Sequence, residues 1–318
     1  MEDVSKQECI QACIIKIQTE SLLYGHSSPH MKKYTDFYKL PVHICKHEYG
    51  YVDAVGYKLF VQRFCPSKPL STVFLLHGYL DHVGSFATAI HFLVENQYEV
   101  IGYDLPGHGL SSGKRATISK FEDYLATLQV VYDVVVQKST NHPLLVAHST
   151  GAMIALEYAK RTKENFQKMA FVAPLFQPHL WKLSRLGLIL TTPFLQSLTR
   201  VFQKNSSDQS YLLFTEKDPL QEKRLPVSWL HALNAWIRKN KRSRTENLSF
   251  LMIQGNRDKT VDTRYGFKQV RSLYPNSSIV LIDKGHHQLL NECAVIREQT
   301  FSILLRYFKK EDKNEVLS

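Results

Sequence analysis

Residues 144–153 read LLVAHSTGAM, an apolar run that ends on Ser149 and is followed by Thr150, Gly151 and Ala152. A serine hydroxyl is a weak nucleophile until a base removes its proton and an acceptor orients that base. Small residues around Ser149 allow a sharp strand-to-helix turn, the geometry that presents a nucleophile in a G-x-S-x-G elbow. Here the pattern is A-H-S-T-G, with Ala147 in place of the first glycine. The N–H of Thr150, at the helix start, would face an oxyanion formed at Ser149. The same residues also suit a serine that only caps a helix, so the motif by itself leaves both readings open.

The base and acid must come from elsewhere. IQGNRDKTVD places Asp258 just after an apolar run at 248–254, and LIDKGHHQLLNE places His286 and His287 just after another at 278–283. On a parallel sheet, loops at strand C-terminal ends carry the functional groups, and Ser…Asp…His is the chain order that such an elbow uses. Asp262 is better explained as the N-cap of a following helix, and Asp283 sits too close to its strand. The acid is therefore Asp258. Of the paired histidines, His287 is preferred as the base, with His286 kept as the alternative. LLHGYLDHVGSF offers the N–H of Tyr79 as a second oxyanion donor, with Gly78 letting the backbone come close to the substrate. His77 reads as a packed histidine, and YDLPGHGLSSG, with Asp104, as a rigid turn.

Those residues need a sheet to hold them. Short β-branched runs recur from Ser71: STVFLLHG, YEVIGYD, PLLVAHS, KMAFVAP, LSFLMIQGN and SIVLID. Helical stretches at 86–95, 118–137 and 151–162 lie between them. Continuous apolar strands alternating with helices predict an α/β protein with a mostly parallel sheet covered on both faces. Upstream, HEYGYVDAVGYKLFVQRF alternates and predicts a hairpin. The first residues suggest an amphipathic helix with Ile10, Cys13, Ile14 and Ile17 on one stripe, followed by a polar linker to about Pro41. The alternation breaks between 176 and 247, which reads as an inserted helical cap. The expected organisation is an N-terminal extension (1–44), a first core part (45–175), the cap (176–245), a second core part (246–309) and a solvated tail (310–318).

Composition narrows the functions. The chain has 318 residues, 44% hydrophobic and 22% charged, with a formal charge of +11. Between 175 and 245 twelve lysines and arginines face four acids, so most of the excess lies in the cap. The charge is spread and no nucleic-acid-binding signature occurs, so a nucleic-acid partner is not expected. Five cysteines, none in a C-x-x-C pair, make no disulfide framework. No secretory signal pattern or membrane-spanning run is evident. The expectation is a cytoplasmic protein in peripheral contact with an anionic membrane at its inner face, through the basic cap. No metal-ligand spacing such as H-E-x-x-H is present, and no cofactor or metal is expected.

HGYLDHVGSF, YDLPGHGLSSG, VAHSTGA, GNRDKTV and GHHQLLNE occur in the order and approximate spacing of the α/β-hydrolase superfamily. Within it the chain resembles the monoacylglycerol lipase and bacterial lysophospholipase L2 group, also classed with serine-aminopeptidase-like hydrolases. TEKDPLQEKRLPVSWLHAL is similar to the cap of these lipases. The resemblance spans about residues 45–308, and it implies Ser149 as nucleophile, Asp258 as acid, His287 as base, and Tyr79 and Thr150 as oxyanion donors. Two departures stand out: Ala147, and a G-H-H one residue shorter than the usual G-x-x-H. The implied activity is hydrolysis of a single-chain lipid ester, a lysophospholipid or monoacylglycerol, through an acyl-enzyme. Peptidase, thioesterase or acyltransferase chemistry with the same nucleophile is the alternative, and a non-catalytic binding protein on this scaffold comes third.

Overall fold

The computed structural model describes residues 2–19, 28–136, 142–162, 166–181, 196–200, 204–240 and 247–310. Its strands are β1 (Lys46–Ala54), β2 (Tyr57–Cys65), β3 (Ser71–Leu76), β4 (Tyr98–Tyr103), β5 (Leu144–His148), β6 (Met169–Val172), β7 (Ser197–Thr199), β8 (Arg224–Pro226), β9 (Leu251–Gly255) and β10 (Ser278–Ile282). Eight of them form one sheet in the order β1-β2-β4-β3-β5-β6-β9-β10. The β1–β2 hairpin is antiparallel and joins β4 antiparallel, while β4, β3, β5, β6, β9 and β10 run parallel. All six runs expected as strands are strands. The central ones are buried along their whole length, as a sheet covered on both faces requires.

Alternate residues serve opposite faces. Phe74, Leu76, Leu145 and Phe171 join one apolar cluster. It is completed by α4 (Phe121–Val136), α5 (Ser149–Thr162) and α8 (Thr263–Leu273). Val73, Leu75, Val146 and Val172 join the other, with α3 (Ala87–Glu95) and α9 (Ala294–Lys309). The helix expected from Ile118 begins at Phe121, and Ile118 is buried in the loop before it.

The N-terminal segment also belongs to the second cluster. In α1 (Glu2–Thr19) the expected stripe of Ile10, Cys13, Ile14 and Ile17 is buried. The linker expected up to Pro41 is instead largely a helix, α2 (Pro29–Tyr38). Its histidine and proline read as breakers, yet proline is favourable at a first helical position. Ser28 caps the helix by accepting from His30 N–H at 3.2 Å, and Lys39 closes it in a left-handed conformation. Met31, Tyr34 and Tyr38 are buried along one face. Burial of such side chains contributes about 1.5–3 kcal/mol each, enough to hold a ten-residue helix that would not persist alone.

In the cap segment α6 (Gln209–Lys217) and α7 (Val227–Asn240) are helical. β7, before α6, pairs with β8, between α6 and α7, as an unexpected antiparallel ribbon; three-residue strands carry no readable period. Trp229 and Trp236 of α7 pack on Phe121 and Tyr124 at the start of α4. Most of WKLSRLGLILTTPFLQSLTRVF, expected to be helical, lies outside the described residues. No described helix is long and apolar enough to cross a membrane.

Candidate active site

The chain runs from β3 outward to β4, then returns to β5 on the other side of β3. At such a reversal the loops beyond the strand C-termini diverge and leave a crevice. Ser149 stands there as the first residue of α5, directly after β5, with φ +51°. A left-handed backbone at a residue with a Cβ costs about 1–2 kcal/mol, so the surroundings must impose it. Two glycines show how closely they do. A methyl group on Gly151 would run into the carbonyl oxygen of His77 and come within 2.9 Å of that of Leu76. A methyl on Gly78 would lie 3.0 Å from the Cβ of Ser149. Helix α5 therefore starts hard against the end of β3, and the loop after β3 passes directly over the serine. Ala147, by contrast, sits fully buried inside β5 opposite Leu76 and Phe171, which is why a methyl is accommodated there.

Ser149, His287 and Asp258 form one hydrogen-bonded chain. His287 Nε2 lies 3.0 Å from Ser149 Oγ, and His287 Nδ1 lies 2.8 Å from Asp258 Oδ2. All three are buried. The Asp258 carboxylate also accepts from Gln254 Nε2 at 2.8 Å, Thr260 N–H at 2.7 Å and Val261 N–H at 3.2 Å. Burial pushes its carboxyl up, but the His287 imidazole and these donors outweigh that and hold it below the ordinary aspartate value. The neighbouring acids do other things. Asp262 caps α8 by accepting from Tyr265 N–H, and Asp283 accepts from Asn256 at the surface.

The geometry separates the two histidines. His286 turns to Glu292, with its Nδ1 2.8 Å from Oε1, and it does not enter the chain from Ser149 to Asp258. His148, just before the serine, donates from Nε2 to the carbonyl of His287 at 3.2 Å. Burial, then the adjacent His287 imidazole, lowers its pKa to about 4, so it is neutral at physiological pH. His77 accepts Leu105 N–H at 2.8 Å and is pushed down to about 3 by burial. Asp104 accepts from Val83 and Leu110 N–H groups. Both are structural, as expected.

Thr150 is the second residue of α5, where backbone N–H groups have no partner within the helix. Tyr79 follows Gly78 over the serine; its ring stacks on Trp229 of the cap at 3.5 Å and its hydroxyl donates to Ala116 O. Four buried polar residues escaped the sequence reading: His148, Gln254, Asp81 and Glu292. Gln254 and His148 lie in apolar strand runs, and a polar residue there was the available signal. Asp81 and Glu292 gave none, because they lie in irregular segments without a periodic pattern.

A family model described as "Serine aminopeptidase, S33" matches residues 67–294 of this chain. The monoglyceride lipase of Mus musculus is 26% identical over 266 residues, 80% of this chain and 86% of that protein. The probable lysophospholipase L2 of Haemophilus influenzae is 24% identical over 244 residues, 69% and 77% of the two chains. A soluble variant of monoglyceride lipase from Saccharomyces cerevisiae, solved with a substrate analog, gives a TM-score of 0.71 at 18% identity. That match covers 81% of this chain and 94% of that one, a likeness of fold. With well over half its length matched, this chain belongs to the serine aminopeptidase S33 family and is a hydrolase with the α/β-hydrolase fold that monoglyceride lipases share.

Proposed function

We propose that this protein is a serine carboxyl-ester hydrolase that cleaves a single-chain lipid ester, a monoacylglycerol or lysophospholipid, through an acyl-enzyme intermediate. The reading is carried by the continuous chain from Ser149 through His287 to Asp258, at 3.0 and 2.8 Å, beginning on a serine held at φ +51°. Ser149 Oγ attacks the acyl carbonyl while His287 Nε2 takes its proton. Ionised Asp258 holds the imidazole and balances its charge. The N–H groups of Tyr79 and Thr150 stabilise the oxyanion. His287 then protonates the leaving alcohol, and later deprotonates the water that releases the fatty acid.

The lipid substrate is supported by the relatives, a monoglyceride lipase and a probable lysophospholipase L2. The cap bears exposed Lys217, Lys223, Arg224, Arg238 and Lys239, each worth about 1 kcal/mol at an anionic leaflet. They support peripheral attachment at the inner face of a membrane, which binding to anionic but not zwitterionic vesicles would test. The family description favours a second reading, aminoacyl-amide cleavage by the same nucleophile. Rates on monoacylglycerols and lysophospholipids of increasing chain length, against an aminoacyl amide, decide between them, with Ser149→Ala as the blank. Faster turnover of long-chain esters supports the lipid reading. Preferential turnover of the amide overturns it.

A further inference from the structure

The base His287 lies in a loop whose neighbouring residues are themselves held by buried hydrogen bonds. The N–H of His286 donates to Glu292 Oε1 at 2.7 Å. The carbonyl of His287 receives His148 Nε2. The N–H of Gln288 donates to Asn205 O at 2.9 Å, and its side chain to Asp81 Oδ2 at 3.2 Å. Three consecutive residues are thus pinned, and two of the anchors lead to residues 205–207, within the cap segment just before α6.

Glu292 joins these anchors. It has no exposed surface. Oε1 accepts both the N–H and the Nδ1–H of His286. Oε2 accepts the N–H of Ser207 at 2.7 Å, its hydroxyl, and the N–H of Cys293 at 3.2 Å. Burial opposes the charge, but the Ser207 hydroxyl, the Ser207 N–H and the His286 donors outweigh it and hold the carboxyl below the ordinary glutamate value. Only an ionised carboxylate can accept on both oxygens from this many donors. One buried group therefore links the histidine loop to the cap segment just before α6.

We infer that Glu292 is a positioning residue for His287: it clamps His286 against Ser207, so that docking of cap residues 205–207 fixes the imidazole over Ser149. The inference rests on the triad reading above. Glutamine has the same shape but must turn an NH2 toward one set of donors, leaving either His286 or Ser207 unpaired. A displacement of the base by about 1 Å is enough for a loss near 100-fold.

The test uses the full chain, a fluorophosphonate to titrate active serines, and a soluble short-chain ester as substrate. For Glu292→Gln the expected result is kcat per titrated site lower by about 100-fold, with KM unchanged. Ser207→Ala, which removes one donor far from the triad, should lower kcat per site in the same way but less, and it carries the test if Glu292→Gln does not fold. Wild-type kcat per titrated site in Ser207→Ala, or a Glu292→Gln defect confined to KM or to the fraction of titratable enzyme, would overturn the inference. A wild type that takes no probe would instead overturn the triad reading.

Discussion

Among the described residues two buried histidine–aspartate pairs have the same length, and only one of them reaches a serine hydroxyl. His287 and Asp258 meet at 2.8 Å, as do His82 and Asp218. Each pair has a hydroxyl, but at opposite ends. Ser149 Oγ lies against the far nitrogen of His287, where the proposed reaction sends its proton. Tyr38 donates its hydroxyl to the carboxylate of Asp218 at 2.6 Å, and no described residue bonds the far nitrogen of His82. The second trio therefore ties α2, the loop after β3 and the segment after α6 together. The proposed function assigns catalysis to the first trio alone, because only there does a hydroxyl on a strained turn meet the far nitrogen of the histidine.

The pairs also differ in how protons affect them. At His82 burial opposes the charge, yet Asp218 outweighs it and the imidazole pKa is raised. Its stabilising contribution is fully present below the unfolded value near 6.5 and is lost as pH rises through the folded one. Asp258 is depressed. Its contribution is present above the unfolded value near 3.9 and is lost as pH falls through the folded one.

The comparison can be broken at several points. The largest effect belongs to Ser149→Ala, which should lower kcat by about 10⁶-fold while thermal unfolding stays near wild type. Asp258→Asn keeps the shape but loses the acceptor that fixes the imidazole, with a fall of about 10,000-fold in kcat expected in steady-state assays. His82→Gln should leave Ser149 reactive and instead lower unfolding free energy by about 3 kcal/mol. Denaturant titrations across pH should show that deficit at its greatest below pH 6.5 and shrinking as pH rises. Loss of Ser149 labelling in folded His82→Gln would dissolve the distinction between the pairs. The smallest change is Lys239→Ala, which removes an exposed 2.6 Å contact between α7 and Glu122 on α4. A loss below about 1 kcal/mol is expected.

Much of this site was legible because its parts are local in sequence. The runs that became β3, β5, β9 and β10 are apolar enough to mark themselves, and Ser149, Asp258 and the paired histidines follow three of them at once. The choice between His286 and His287 was not local. Both follow Gly285, and the buried Glu292 that draws His286 aside lies in a segment with no periodic pattern. The His82–Asp218 pair spans 136 positions, beyond the reach of any motif. Helix α2 was missed for a different reason: its proline and histidine resemble a linker, and only burial of Met31, Tyr34 and Tyr38 makes it helical. Non-local burial and pairing decide what local pattern leaves open.

The most direct measurement is labelling of the folded wild type with a fluorophosphonate, with the adduct mapped by mass spectrometry and Ser149→Ala and Asp258→Asn run alongside. The account predicts one adduct, on Ser149, absent from the first variant and formed far more slowly in the second. No adduct on folded wild type, or an adduct that survives Ser149→Ala, would contradict it.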